Sequence, residues 1–187
     1  PPGNEAVAAE LLRDYLEANG VRCELVGRVP ERLNLVARLP GGDGPSLALI
    51  AHTDTVRADP EEGARDPWCG DLVDGEVWGR GALDMKGAGI MQLQAFLALH
   101  AAGVPLRRDV VLVATADEEA GGVWGAEWMA EHHWDAIGAD YVLTELGGWS
   151  SAGHDGHRVV TVNVGEKGLA WRRLRVHGTP GHGSMPF

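Results

Sequence analysis

The sequence predicts an α/β fold, a mostly parallel sheet covered by helices on both faces, and three observations carry that prediction. Short apolar runs at Leu47 to Ala51, Val110 to Ala114 and Tyr141 to Thr144 alternate with stretches of helical periodicity. The second run is apolar at every position, as a strand buried on both sides is. Each run stops at a histidine or an acid, namely His52, Asp117-Glu118-Glu119 and Glu145.

Taken in order, Asn4 is placed to cap a first helix over residues 4 to 19, in which Ala8, Leu11, Leu12 and Tyr15 recur at helical spacing. Gly20 suits the left-handed position that ends it. Val21 to Val26 and Leu33 to Leu39 read as strands, the second closed by the turn Pro40-Gly41-Gly42-Asp43-Gly44. Strand 46 to 51 then delivers His52. Residues 57 to 80 form an excursion with a hairpin expected at Asp74-Gly75 and with Trp68 and Trp78 expected to pin the loop to the core, pocket lining being the alternative for each. A helix over about 85 to 102 ends at Gly103, strand Asp109 to Ala116 follows, and a helix over about 123 to 133 leads to the strand before Glu145. After a polar loop at 149 to 157, Val159 to Val164 and Leu169 to Val176 read as two more strands, hinged at Gly165-Glu166-Lys167-Gly168.

The 187 residues are 44% apolar, yet no run nears the ~18 apolar residues that span a bilayer. A net charge of -11, from 27 acids against 16 bases, sets the chain against phosphate backbones, so no nucleic acid partner is expected. Cys23 and Cys69 show neither metal spacing nor a disulfide framework, which points to a reducing, cytoplasmic setting. Because it opens on Pro1-Pro2 and closes at Phe187 just after a motif-like Gly181-His182-Gly183-Ser184, the chain reads as the N-terminal part of a longer protein.

Chemistry gathers at the strand ends. In open α/β sheets ligands bind outside the carboxyl ends of the strands, so His52, Asp84, Glu118, Glu119 and Glu145 can converge on one crevice. Asp54, two residues after His52, projects to the same side and can take the second ring N–H of a ligating imidazole. Acids clustered with only Lys86 nearby raise one another's pKa values, and a divalent cation resolves the conflict. Mixed imidazole and carboxylate donors suit zinc, with cobalt or manganese as substitutes. Gly79-Arg80-Gly81 is no dinucleotide fingerprint, since the third glycine is missing and Asp84 stands where a phosphate would lie. Plainer readings exist for each residue: a loop histidine and a solvated aspartate for His52 and Asp54, a helix cap for Asp84, surface acids for Glu118 and Glu119, a loop acid for Glu145, a loop imidazole for His182, and a bystander thiol for Cys69.

The segments His52-Thr53-Asp54-Thr55-Val56, Gly79-Arg80-Gly81-Ala82-Leu83-Asp84-Met85-Lys86-Gly87, Asp117-Glu118-Glu119 and Gly178-Thr179-Pro180-Gly181-His182-Gly183-Ser184 stand in a telling order. The chain thereby resembles the dizinc family of aminoacylases, acetylornithine deacetylases, succinyl-diaminopimelate desuccinylases and glutamate carboxypeptidases. The resemblance implies a three-layer α/β sandwich catalytic domain over 1–168 and the start of a smaller α+β lid and dimerisation domain over 169–187, hence a homodimer. It implies that His52, Asp84 and Glu145 bind one zinc, that Asp84 bridges to a second held by Glu119, that Asp54 orients His52, and that Glu118 is the general base. His182 would reach the oxyanion of the substrate, in dimeric members from the partner subunit. The substrate would be a small peptide or N-acyl amino acid. The last ligand of the second zinc, a histidine far downstream in the family, has no counterpart here, so a metal-binding or dimerising remnant without activity is the rival expectation. A dinuclear phosphoesterase is a third, weakened by the scarcity of basic residues beside the acids.

Overall fold

The computed structural model describes residues 3–184 apart from 64, 146–149, 163, 166, 169, 171, 176, 179, 180, 182 and 183. It divides into two units, Pro1–Gly147 and Gly148–Phe187. In the first, α1 (Ala6–Ala18) is followed by β1 (Cys23–Val26), β2 (Asn34–Leu39), β3 (Gly44–His52), a hairpin of β4 (Leu72–Val73) and β5 (Glu76–Val77), α2 (Ala88–Ala102) and β6 (Arg108–Thr115). The unit closes with α3 (Ala126–His132), α4 (Trp134–Ile137) and β7 (Tyr141–Leu143).

The five-stranded sheet runs β1-β2-β6-β3-β7. Strands β6 and β7 lie parallel to β3, while β1 with β2 and β2 with β6 are antiparallel. The sheet is therefore mixed rather than mostly parallel. Parallel neighbours need a crossover of a dozen or more residues, and only the β3 to β6 and β6 to β7 connections contain helices. β1 joins β2 through a short loop, which permits only reversal.

Alternation along the central strands decides the layering. Val110, Leu112 and Ala114 face a core shared with Leu16 of α1 and Leu93, Phe96 and Leu97 of α2. The intervening Val111 and Val113 face a second core with Met129 of α3, against which Ala136 and Ile137 of α4 pack. Leu49 and Ala48 of β3 divide the same way. A period of two along strands buried on both faces gives three layers, helices over sheet over helices. Phe96, with no exposed surface, anchors the first core.

Several local expectations change. Asn4 does not cap α1: Glu5 holds the cap position without a side-chain cap bond, and the Ala6 N–H donates to Glu31 O at 3.1 Å. Asp84 is no helix cap either, because α2 begins after Gly87, and Asp84 and Met85 depart from helical φ/ψ. Met85 is buried under this irregular turn, and the Asp84–Met85 peptide bond is cis. The hairpin at Asp74-Gly75 forms as expected, with φ of 52° and 84° at the two positions that a tight hairpin turn needs left-handed. Trp68 and Trp78 do not pin the excursion to the core. At 59% and 40% exposed they line a groove with Val7 and Leu11 of α1, as pocket-lining rings would, and the Arg65 guanidinium lies 5.2 Å from the Trp78 ring centre.

In the second unit β8 (Ser150–Ala152) pairs with β9 (Arg158–Val160) around Gly156, whose φ is 79°. β8 falls where a polar loop was expected, because Ser150-Ser151 shows no apolar pattern. The expected strand Leu169 to Val176 and hinge at 165–168 include residues outside those described. Among the described residues, no helix is long and apolar enough to cross a membrane.

Candidate metal centre

The crevice opens at the carboxyl ends of the three parallel strands. His52 is the last residue of β3 and pairs in register with Thr115, the last of β6. The Thr53 N–H and Oγ1 both donate to Thr115 O, at 2.8 and 3.1 Å, so the chain leaves the sheet in a fixed direction. Glu118 and Glu119 follow β6 in a short turn, and Glu145 stands two residues beyond β7.

His52 is 4% exposed. Its Nδ1 lies 3.0 Å from the Asp54 carbonyl oxygen and 3.5 Å from Asp54 Oδ1. A proton on Nδ1 is held there, which directs Nε2 into the acid cluster. Nε2 lies 3.1 Å from Asp84 Oδ1, 3.6 Å from Glu145 Oε2 and 3.9 Å from Glu118 Oε2. Asp54 serves a second purpose, since its two carboxylate oxygens accept from the N–H groups of Glu118 and Glu119, each at 3.1 Å. One aspartate thus ties the end of β3 to the turn after β6. Glu119 Oε1 in turn accepts from the Val56 N–H at 3.2 Å.

The charges are mutually dependent. Burial disfavours protonated His52, but hydrogen bonds to Asp54 and Asp84 and the charges of Asp54 and Glu145 outweigh it and push its pKa from 6.5 to about 9. Burial, a hydrogen bond with Asp84 and the charges of Asp84 and Glu118 lift Glu145 to about 7, against the pull of His52. Burial also raises Glu118, opposed by His52 and reinforced by Glu119, Asp54 and Asp84. For Asp54, burial is overcome by the His52 bond and the two backbone N–H donors, and its pKa falls. The cluster therefore has more negative charge than one imidazolium compensates. A divalent cation fits this donor set: His52, Asp84 and Glu119, and also His52, Glu118 and Glu145, each offer one ligand atom within 4.8 Å of the others.

Six of the seven residues singled out in the sequence converge here: His52, Asp54, Asp84, Glu118, Glu119 and Glu145. His182 lies outside the described residues. Two further residues, Gly81 of the Gly79-Arg80-Gly81 motif and Asn34, shape the turns around these side chains. Gly81, with φ 82°, lets Thr55 and the Lys86 ammonium pack where a Cβ would collide with both. Asn34, fully buried, accepts from the Ala116 N–H at 2.8 Å and donates to Trp124 O at 3.1 Å, bracketing the turn that carries the two glutamates. Its only sequence signal is a polar residue opening an apolar strand.

Comparison with known proteins identifies the family and the fold. Aminoacylase-1 of Sus scrofa is 32% identical over an alignment of 188 residues that covers 98% of this chain and 45% of that protein. Succinyl-diaminopimelate desuccinylase of Paracoccus denitrificans is 31% identical over 190 residues, 98% of this chain and 47% of that one. The chain thus spans about half the length of these relatives. Among solved structures, an M20 family metallo-carboxypeptidase of Sulfolobus solfataricus shares the fold with a TM-score of 0.63 at 24% identity, over 76% of this chain and 32% of its own. Human carnosine dipeptidase 1 superposes with a TM-score of 0.56 at 28% identity, over 77% of this chain and 32% of its own. The family model described as Peptidase family M20/M25/M40 matches residues 48–180, from the middle of β3 past every acid of the crevice, and the chain belongs to that hydrolase family.

Proposed function

We propose that this chain supplies the metal-binding part of a hydrolase that cleaves a peptide or N-acyl amino acid amide bond. The observation that carries the reading is the convergence of His52 Nε2 with Asp84, Glu118 and Glu145 at the carboxyl ends of β3, β6 and β7, while Asp54 fixes both His52 and the glutamate pair. His52, Asp84 and Glu145 would hold one ion, and Asp84 and Glu119 part of a second, with zinc the best match and cobalt or manganese substitutes. When bound, the ions supply Lewis acidity that polarises a carbonyl and makes water acidic near neutral pH.

The remaining steps belong to the chain's own side chains. Asp54 holds the proton on His52 Nδ1. Glu118, its side chain half-exposed beside the ligands, takes a proton from the attacking water on a carboxylate oxygen and passes it to the leaving nitrogen. His182, on a segment from about 169 that would begin a lid and dimerisation domain, would donate to the developing oxyanion. The free thiols of Cys23 and Cys69 support a reducing, cytoplasmic setting.

A second reading, metal binding without turnover, is supported by the ligands available to the second ion, Asp84 and Glu119 among the described residues. Hydrolysis of a panel of dipeptides and N-acyl amino acids, measured with zinc or cobalt and after chelation, separates the two. The proposal expects turnover that disappears with the metal and that Glu118→Gln abolishes without loss of metal. Turnover that survives chelation contradicts it.

A further inference from the structure

Beneath the glutamate pair lies an ion triad that metal coordination by itself does not require. Arg32, in the loop between β1 and β2, is 8% exposed, and its Nε and Nη2 meet Glu5 Oε2 and Oε1 at 2.6 and 2.8 Å. Nη2 also donates to Asp117 Oδ1 at 2.6 Å. Glu5 and Asp117 are themselves buried, at 5% and 4% exposed. Burying three charges is unfavourable unless they are paired; here Nη2 donates to both carboxylates, while Nε and Glu5 Oε2 meet as an ion pair without a hydrogen bond. A lysine ammonium would offer one point charge in place of this fork.

Asp117 is the residue from which Glu118 and Glu119 depart. Its backbone sits at φ 67°, a left-handed conformation uncommon for a residue with a Cβ. The surrounding bonds hold it there: its carbonyl accepts from Gly122 N at 2.6 Å and its Oδ2 accepts from Trp124 N at 3.2 Å. The turn is therefore fixed from two sides, by Asp54 above through the N–H groups of Glu118 and Glu119, and by Arg32 below through Asp117. Glu5 carries this hold back to the start of α1, where the Ala6 N–H to Glu31 O bond docks the helix beside the same loop.

We propose that Arg32 is a positioning residue for the carboxylate pair, which by clamping Asp117 against Glu5 sets the direction in which Glu118 and Glu119 leave β6. The inference rests on the reading of those glutamates as base and ligand. A purely structural staple between α1 and the sheet would make the same bonds but would leave the pair unaffected in whatever protein remains folded.

The test uses this chain with Arg32→Lys, Arg32→Met and Asp117→Asn, following amide hydrogen exchange over residues 116–125 and over β6, and affinity for Co2+ with its visible spectrum. The proposal expects Arg32→Lys and Asp117→Asn to speed exchange at Glu118 and Glu119 about 10-fold or more while β6 keeps its protection. Co2+ should bind about 10- to 100-fold more weakly, with an altered spectrum. Should Arg32→Met fail to fold, the other two variants decide. Lower stability with wild-type exchange at 118–119 and wild-type Co2+ affinity in the folded protein overturns the proposal. If the unaltered chain binds no Co2+, the metal reading fails instead, and the exchange measurement alone decides the role of Arg32.

Discussion

Asp54→Asn probes the joint between β3 and the turn after β6. The aspartate side chain is 13% exposed and accepts from both the Glu118 and the Glu119 N–H while Oδ1 lies 3.5 Å from His52 Nδ1. Asparagine keeps one acceptor oxygen and presents an amide N–H2 in place of the other. One partly exposed backbone N–H therefore exchanges its partner for water, at about 0.5–1.5 kcal/mol, and the bonds lose their charge assistance. For a domain of this size each kcal/mol shifts Tm by about 2–4 °C, so the metal-free variant should melt roughly 1–6 °C lower. The effect has a pH signature. A carboxylate whose folded pKa is depressed contributes stability that is present above its unfolded pKa and is lost as pH falls through the folded value. Asp54→Asn should therefore lose most at neutral pH and converge on the unaltered chain in acid. The Asp54 carbonyl that accepts from His52 Nδ1 is unchanged by the substitution, so metal affinity should fall through the loosened Glu118–Glu119 turn, by about 10-fold. Urea unfolding between pH 3 and 8, with Co2+ titration at pH 7, makes the comparison. Unchanged stability and unchanged Co2+ affinity would refute the reasoning.

Other consequences follow from the same geometry. In the metal-free protein the folded pKa of His52 is raised to about 9, so its contribution to stability is complete below the unfolded value near 6.5 and disappears as pH rises through about 9. Its ring resonances should titrate near that upper value in metal-free NMR spectra, and a midpoint at or below 6.5 would contradict the geometry. Phe96→Ala, at a fully buried site facing β6, should cost about 3–5 kcal/mol in urea unfolding. Leu83→Ala, 92% exposed, should stay within about 0.5 kcal/mol, and the reverse order would overturn the assignment of the core. Gly81→Ala forces a Cβ into Thr55 and Lys86 at a left-handed φ of 82° and should cost about 1–3 kcal/mol, measured the same way.

The parts of the fold that were legible are those with a local signal. β3 and β6 announce themselves as runs apolar on both faces, and the residues after them are exposed to ligand simply because a parallel strand ends there. That is why His52, Glu118, Glu119 and Glu145 could be placed in one crevice without knowing the pairing. What escaped depends on contacts distant in sequence. The mixed sheet arises because β6 enters between β2 and β3, a choice that no local pattern in β2 records. Arg32 reads as an ordinary loop cation, since its partners Glu5 and Asp117 lie 27 and 85 residues away. For Trp68 and Trp78 the sequence left anchor and pocket-lining roles open, and only the fold, which brings α1 opposite them, decides for the groove. The spacing of Asp54 suggested its place beside His52, but its grip on the Glu118 and Glu119 N–H groups required the register of β3 against β6.

The most direct test of the centre itself is the metal content of this chain after loading with zinc and exhaustive dialysis, compared with His52→Ala and Asp84→Asn. The account predicts that the unaltered chain retains a tightly held ion and that either substitution releases it while circular dichroism shows the fold intact. Retention of the same amount of zinc by both folded variants, or none by the unaltered chain, would contradict it.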